Sequence, residues 1–425
     1  MRVVVAMLGA RRGYLVPEVI EELGVLACFV TDFYAGSGGR LQTALLLLGR
    51  KLRIPSLRAL AGRSSSRIPP KRVVAFRLLG LRYALARRFR RTADARLFAS
   101  VNRRFCLRAA RYLHAADICW AYNGAALELF EAARRRGMRC LLEQVIAPRR
   151  DELVELVRAR RDWPQWDAAA DPVSTSCDPL AEREQAEWRL ADIVVAGSRY
   201  VQNSLERSGV AKGRCLVVPS AIDLERFTVA ADHSNGGPLR VLFVGQINLR
   251  KGAPYLLEAV RRLNSRQIRL KMVGAVQARS DCIAAFAPWA EFAGPVPPAE
   301  ITSQYRWADV VVVPSVCEGS AMVTYEARGC GVPIIVTPNA GASFSPGVEG
   351  LEIPVRDVEA IAQTLDRLAG DRQEVRELRE GAIANRLSLG RDAYRNRIRQ
   401  VLDAIGSPSP HNVRIPQLVG GTQPA

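Results

Sequence analysis

The 425-residue chain has little of what usually holds a metal or staples a fold. Its three histidines, at 114, 233 and 411, have no ligand-type partner at helical spacing. A histidine-centred metal or catalytic site therefore has little to build on. No Asp-x-Asp pair occurs, so a divalent cation has no evident carboxylate set, and no metal is expected. Nine cysteines are scattered, at 28, 106, 119, 140, 177, 215, 282, 317 and 330, without a Cys-x-x-Cys pair. An odd, unpaired set reads as buried free thiols in a reducing cytosol. No window of about 18 uncharged apolar residues exists, which excludes a bilayer-spanning helix. The opening "MRVVVAMLGARRGYL" has a short apolar run followed by arginines, where a cleavage site needs small residues, so it does not read as a secretory leader. No Gly-x-Gly-x-x-Gly follows that run, because "GARRG" has the wrong spacing, which argues against a dehydrogenase.

Acids are scarce in one place. From Arg50 to Arg111 there are 19 Lys plus Arg against one acid, Asp94, while the whole chain carries +19. Only five lysines occur in the chain, so a bias toward arginine explains the residue type but not the missing acids. Such density fits an anionic surface: phospholipid, nucleic acid or a phosphorylated substrate. Few aromatics are interleaved for stacking and no nucleic-acid motif appears, so nucleic acid is not expected as a partner. The stretch 73–91, "VVAFRLLGLRYALARRFRR", places Val74, Leu78, Leu81 and Leu85 at helical spacing among arginines. It reads either as a helix on an anionic membrane face or as a basic helix docked on its own domain.

The length suits two domains of about 200 residues. "RVVVAMLG", "VLACFVTDF", "ADICWAYN" and "RCLLEQV" read as strands of the first half, with helical stretches between them. The second half repeats the rhythm: "ADIVVAGS" (191–198), "CLVVP" (215–219), "VLFVG" (241–245), "LKMVG" (270–274), "EFAG" (291–294), "VVVVPS" (310–315) and "PIIVT" (333–337). Helices are expected from about 253, near 298–307, through Glu326, at 357–369 and at 373–404. Alternating strands and helices imply parallel sheets, and the fold class is α/β with two doubly wound halves. A polar, Gly-rich break at 229–240 marks the boundary there or slightly before. With the strands from 191 onward counted in the second half, the division is 1–190, 191–385, a helix at 386–405 and a Pro/Gly/Ser-rich tail at 406–425, expected to be disordered.

The segment "VVVVPSVCEGSAMVTYEARGCGVPIIV" (310–336) sets two acids between two apolar runs. In open parallel sheets, ligands bind beyond the carboxyl ends of the strands. Glu318 directly follows such a strand. Gly319 and Ser320 then open a helix, with Ser320 the candidate N-cap, and the free amides there suit phosphate. Glu326 lies about two turns further on. A carboxylate is a poor phosphate ligand but a good acceptor for sugar hydroxyls. Amides for phosphate and two acids for diols match the parts of a nucleotide-sugar. "VGQINLRKG" (244–252) follows another strand and sets Arg250 and Lys251 at a helix start, where either can neutralise a diphosphate.

Together "VGQINLRKGAPYLLEAV", "EGSAMVTYEARGCGVPIIV" and "VVPSAIDLERF" resemble glycosyltransferase family 4, the retaining enzymes of GT-B fold. The resemblance is strong over roughly 180–370 and weak over the first 150 residues. It implies two Rossmann-like domains facing a central cleft, with the donor held mainly by the second. It implies that Lys251 and Arg250 hold the donor diphosphate, that Glu318 contacts the transferred sugar, and that Glu326 contacts the ribose. Gly245, Gln246, Gly319, Ser320, Ala321, Met322 and Val323 fall in the donor-binding motifs. It also implies a final helix crossing back to the first domain. Gln246 stands where an arginine is usual, with Arg250 read as its substitute. Ala321 stands where a glycine is usual, crowding a backbone that must approach the donor. A first-domain histidine is replaced by Tyr122 and Asn123. Gly9, Arg11, Arg12, Gly13 and Asn123 are assigned to the acceptor or diphosphate side.

The expected function is retaining, metal-independent hexosyl transfer from a nucleotide-diphospho-sugar, without a further cofactor. The acceptor is expected to be a lipid-linked glycan or polysaccharide, reached at the cytoplasmic face of the membrane through the basic 50–111 segment. The alternative is a non-catalytic sugar-nucleotide binder in a polysaccharide assembly complex.

Overall fold

The computed structural model describes the chain except residues 52–54, 90–94, 115, 167–177, 232–235 and 407–425. The tail from 407 on therefore lies outside the described residues, as do His233, His411 and Cys177.

Thirteen strands form two sheets among the described residues. The first contains β1 (Val3–Met7), β2 (Leu26–Thr31), β3 (Val73–Ala75), β4 (Ile118–Tyr122), β5 (Arg139–Gln144), β6 (Ile193–Ala196) and β7 (Cys215–Val217). Their order is β3-β2-β1-β4-β5-β6-β7, and every pairing is parallel. The second contains β8 (Leu239–Val244), β9 (Ile268–Val273), β10 (Ala290–Gly294), β11 (Val310–Val313), β12 (Ile334–Val336) and β13 (Gly350–Glu352), in the order β10-β9-β8-β11-β12-β13. The fold class expected from sequence is the one observed. Strands such as VVVAM and VVVV are buried along their whole length, as a parallel sheet covered on both faces demands. In each sheet the strand order reverses beside its first strand, between β1 and β4 and between β8 and β11. These are the switch points where loops splay apart and ligands enter.

Three expectations need correction. The strands at 191–198 and 215–219 do not belong to the second half, because β6 and β7 extend the first sheet: Leu141 of β5 pairs with Ile193, and Val194 of β6 with Cys215. A short apolar run does not say which sheet it joins. Second, 73–91 is not one helix. Val73–Ala75 pairs with β2, and the helix is Arg77–Phe89. Third, 373–404 is two helices, Arg372–Ala384 and Arg391–Gly406, separated by a short 3-10 turn at Arg386–Leu389.

The two halves exchange segments. The helix Arg391–Gly406 packs Tyr394, Ile398, Val401 and Leu402 into the core under β1, and Arg391 pairs with Glu18 and Glu22 of the helix Leu15–Glu22. Ala159 and Trp166, from the chain before β6, lie in the core under β8. Eight cysteines are free thiols among the described residues, six of them buried.

Candidate active site

The second-sheet half of the site is two loops tied together. After β8 the chain turns at Gly245 and closes at Gly252, where φ is 70°. A Cβ at Gly252 would sit 1.8 Å from the Pro314 carbonyl oxygen, so only glycine lets the helix Ala253–Leu263 start against the loop after β11. The Asn248 Oδ1 accepts from the Lys251 N–H at 3.0 Å, and the Arg250 carbonyl accepts from the Val316 N–H at 2.9 Å. Arg250 Nη1 then donates to Glu318 Oε1 at 2.9 Å, and Lys251 Nζ pairs with the same oxygen. The three residues read from sequence as catalytic thus meet, with side chains only 25%, 16% and 12% exposed. Two cations on one carboxylate leave a local excess of one positive charge. Gln246 is exposed on the same loop.

Gly319 carries the contact between the halves. A Cβ there would lie 1.8 Å from the Val145 carbonyl oxygen, just beyond β5. Beside it, Ala147 N–H donates to the Glu318 carbonyl at 3.2 Å, and Ser198 Oγ donates to the Gly319 carbonyl at 2.5 Å. Ser320 is not the N-cap. Its hydroxyl pairs with the Tyr325 hydroxyl at 2.8 Å, and Ala321 takes the cap position. No side chain caps the helix Met322–Gly329, so its first amides, at Met322 and Val323, stay open to an anion. The Ala321 methyl is buried in the core, so it does not crowd the loop's open side. Glu326 turns toward the helix Ile301–Trp307, where its Oε2 accepts from the Tyr305 hydroxyl at 2.6 Å. Burial raises the Glu326 pKa, partly offset by the Tyr305 hydrogen bond and by Arg226.

The first-sheet half gathers at the β1/β4 switch point. Gly9 N–H donates to Asp32 Oδ1 at 2.7 Å, and the left-handed residues Arg12, Gly13 and Tyr14 bend the loop back into a helix. The Arg11 guanidinium lies 5.7 Å from the Tyr122 ring centroid. Burial lowers its pKa. The Arg12 guanidinium reaches Glu143 Oε1 at 3.4 Å. Burial opposes the Arg12 charge, but Glu143 and the neighbouring Tyr394 hold its pKa above the ordinary value. Arg12 Nη2 and Ser320 Cβ both come within 2.9 Å of where a Gly197 Cβ would stand, so Arg12 reaches the domain junction. Arg11 Nε and Tyr122 Oη are buried without a hydrogen-bond partner, and Glu143 Oε1 has only its 3.4 Å ion pair with Arg12. Unsatisfied buried polar atoms gathered at a sheet switch point mark a place a ligand would complete. Asn123 is different: its amide donates to Glu184 and its oxygen accepts from Val145 N–H. Both ends are already used, one against the helix Pro179–Leu190 and one against the chain just past β5.

Sequence reasoning missed Glu143, Ser198, Tyr305 and Arg226. An acid inside the buried strand "RCLLEQV" was the available signal for Glu143, since charged residues are rarely buried unpaired. The other three carried none. Among the described residues no group of three His, Cys, Asp or Glu is placed to hold a metal ion.

Residues 238–371 match the family model described as "Glycosyl transferases group 1". A D-inositol 3-phosphate glycosyltransferase of Corynebacterium jeikeium is 31% identical over 208 residues, covering 43% of this chain and 50% of that protein. The chain thus spans about half the length of the curated relatives it matches. Anabaena Alr3699/HepE, solved in complex with UDP, superposes with a TM-score of 0.61 at 14% identity, covering 95% of this chain and 100% of that one. The sucrose-phosphate synthase of Thermosynechococcus elongatus gives a TM-score of 0.62 at 18% identity, covering 95% and 98%. The shared architecture is GT-B: two Rossmann-like domains around a cleft.

Proposed function

We propose that the protein is a retaining glycosyltransferase that moves a hexose from a nucleotide-diphospho-sugar to a glycan or glycolipid acceptor. The observation that carries this reading is the convergence of Arg250 and Lys251 on Glu318 at the β8/β11 switch point, with Arg11 and Arg12 gathered at the β1/β4 switch point of the other sheet. The UDP held by Alr3699/HepE supports a nucleotide donor. In the proposed reaction the diphosphate lies between the Arg250–Lys251 loop and the open amides of Met322 and Val323. Glu318 faces the hexose hydroxyls and Glu326 the ribose. The C1–O bond to phosphate breaks with its electron pair leaving on the diphosphate. The acceptor oxygen bonds C1 on the same face, and its proton passes to a phosphate oxygen. Preorganised cations and helix amides then stabilise the leaving charge, the role a metal plays elsewhere.

The test is a panel of UDP-, GDP- and ADP-sugars scored by thermal shift and by donor hydrolysis. One donor is expected to stabilise the protein and to be hydrolysed above background. Glu326→Ala should lose that stabilisation, because ribose hydroxyls left without an ionised acceptor cost about 1.5–3 kcal/mol. Binding without turnover, with every acceptor tried, would leave the non-catalytic binder as the reading.

We place the acceptor at an anionic membrane face. The helices Arg40–Lys51 and Arg77–Phe89 expose Leu46, Leu47, Leu48, Leu78 and Leu81 beside Arg50, Lys51, Arg77 and Arg82. Exposed leucines among cations suit a lipid interface. Part of the segment's charge is spent inside the fold, since Arg63, Arg67, Arg72 and Arg103 pair with Asp32, Glu22, Glu21 and Glu128. The remaining cations contribute about 1 kcal/mol each near an anionic leaflet. Vesicles containing anionic lipid should sediment the protein at low salt, and Leu47→Glu with Leu78→Glu should weaken this. Equal binding to neutral vesicles would refute the electrostatic placement.

A further inference from the structure

A cavity of about 180 Å³ lies where the C-terminal helix meets the second domain. It exceeds the roughly 150 Å³ that admits a benzene. Separate pieces of chain wall it, among them Tyr325 and Arg328 of the helix Met322–Gly329, the loop at Ser343 with Glu349, the turn at Ser388, and Arg397 of the helix Arg391–Gly406. That last helix is docked on the first domain, so the cavity sits on the hinge.

Its charges do not balance. Arg328 is 1% exposed and Arg397 is 9% exposed. Arg328 Nη1 donates to Glu349 Oε2 at 2.6 Å and its Nε to the Thr324 carbonyl at 3.1 Å, but its Nη2 is buried with no partner. Arg397 donates only to carbonyls, those of Pro219 at 3.3 Å and Ser388 at 2.8 Å. Two buried guanidiniums thus face one carboxylate. Burial and the neighbouring Arg328 both push the Arg397 pKa down. An uncompensated buried charge is expensive, and a fold carries one where an ion of opposite sign completes the site.

We infer that this hinge cavity binds a phosphate group, free or on a small phosphomonoester, between the free edge of Arg328 and Arg397. Guanidinium forks suit the oxygens of a tetrahedral oxyanion. Arg328 belongs to the second domain and Arg397 to a helix fixed on the first, so the ion bridges the two and holds their angle. The wall also reaches the candidate active site. The Tyr325 hydroxyl pairs with Ser320 Oγ at 2.8 Å and accepts from the Ser220 N–H at 3.2 Å. The amides proposed for the donor, at Met322 and Val323, lie at the N-terminal end of the same helix, whereas Arg328 lies near its C-terminal end.

The test uses the full chain and its melting temperature in inorganic phosphate or glycerol 3-phosphate, against chloride at matched ionic strength. Near-saturating phosphate should raise the melting temperature by about 2 °C. Lys251→Met, which alters the donor loop, should keep that response. Arg397→Gln should shift the response to about tenfold higher concentration, the loss of one charged hydrogen-bonding group. Ser343→Leu, which fills the cavity and leaves both arginines, should do the same and serves if Arg397→Gln does not fold. Whichever compound acts at lower concentration identifies the source, free ion or metabolite, and either supports the site. A response lost in Lys251→Met but kept in Arg397→Gln and Ser343→Leu places the ion in the donor loops and overturns the inference. So does the lack of any response to both compounds.

Discussion

Lys251→Met is expected to lower turnover of the nucleotide-sugar by about 10²–10³-fold, the usual cost of removing one preorganised donor from a site of developing negative charge. The charge on the diphosphate grows as the C1–O bond breaks, so the lost interaction matters more in the transition state than in the bound donor. Arg250 stays in place, and donor affinity should therefore fall much less than turnover. The fold should also survive, because Glu318 keeps its hydrogen bond to Arg250 at 2.9 Å. The checking measurement is kcat together with a donor binding isotherm. An unchanged kcat would remove Lys251 from the chemistry. A matching loss of affinity and turnover would make it a ground-state ligand only.

The second-sheet half of the candidate site was legible in sequence because both of its loops follow strands that announce themselves. "VLFVG" and "VVVVPS" are continuous apolar runs, and the loops after them must lie at the sheet's carboxyl edge. Fixing both loops at one switch point is enough to bring Arg250, Lys251 and Glu318 together. Where the reading failed, a distant partner decided the outcome. Ser320 has the chemistry of an N-cap, yet the Tyr325 hydroxyl competes for its oxygen and the cap passes to Ala321. β6 joins β5 rather than β8 because Leu141, Leu142, Glu143 and Gln144 offer an open edge some fifty residues earlier in the chain, and no local pattern records that pairing. β3 is three residues long and set among arginines, so the helical periodicity after it hid it. Tyr305 meets Glu326 across two helices, 21 residues apart, which spacing alone does not reveal.

Glu318→Gln should move two quantities in opposite directions. In the structure described here the Glu318 carboxylate already neutralises part of the Arg250 and Lys251 charge. An incoming diphosphate must displace it from those cations. Glutamine keeps the shape but loses the charge, so the cations are left for the ligand. The nucleoside diphosphate released by the donor found in the panel should then bind about tenfold more tightly. Turnover should fall by about 10–100-fold, because the displaced carboxylate is the proposed acceptor for the hexose hydroxyls, and a charged hydrogen bond of about 1.5–3 kcal/mol is lost there. Damage to the fold would lower both values, so the opposite signs separate a functional effect from a structural one. Weaker diphosphate binding would show that Glu318 does not compete for the cations. Full turnover in the variant would show that it does not touch the sugar.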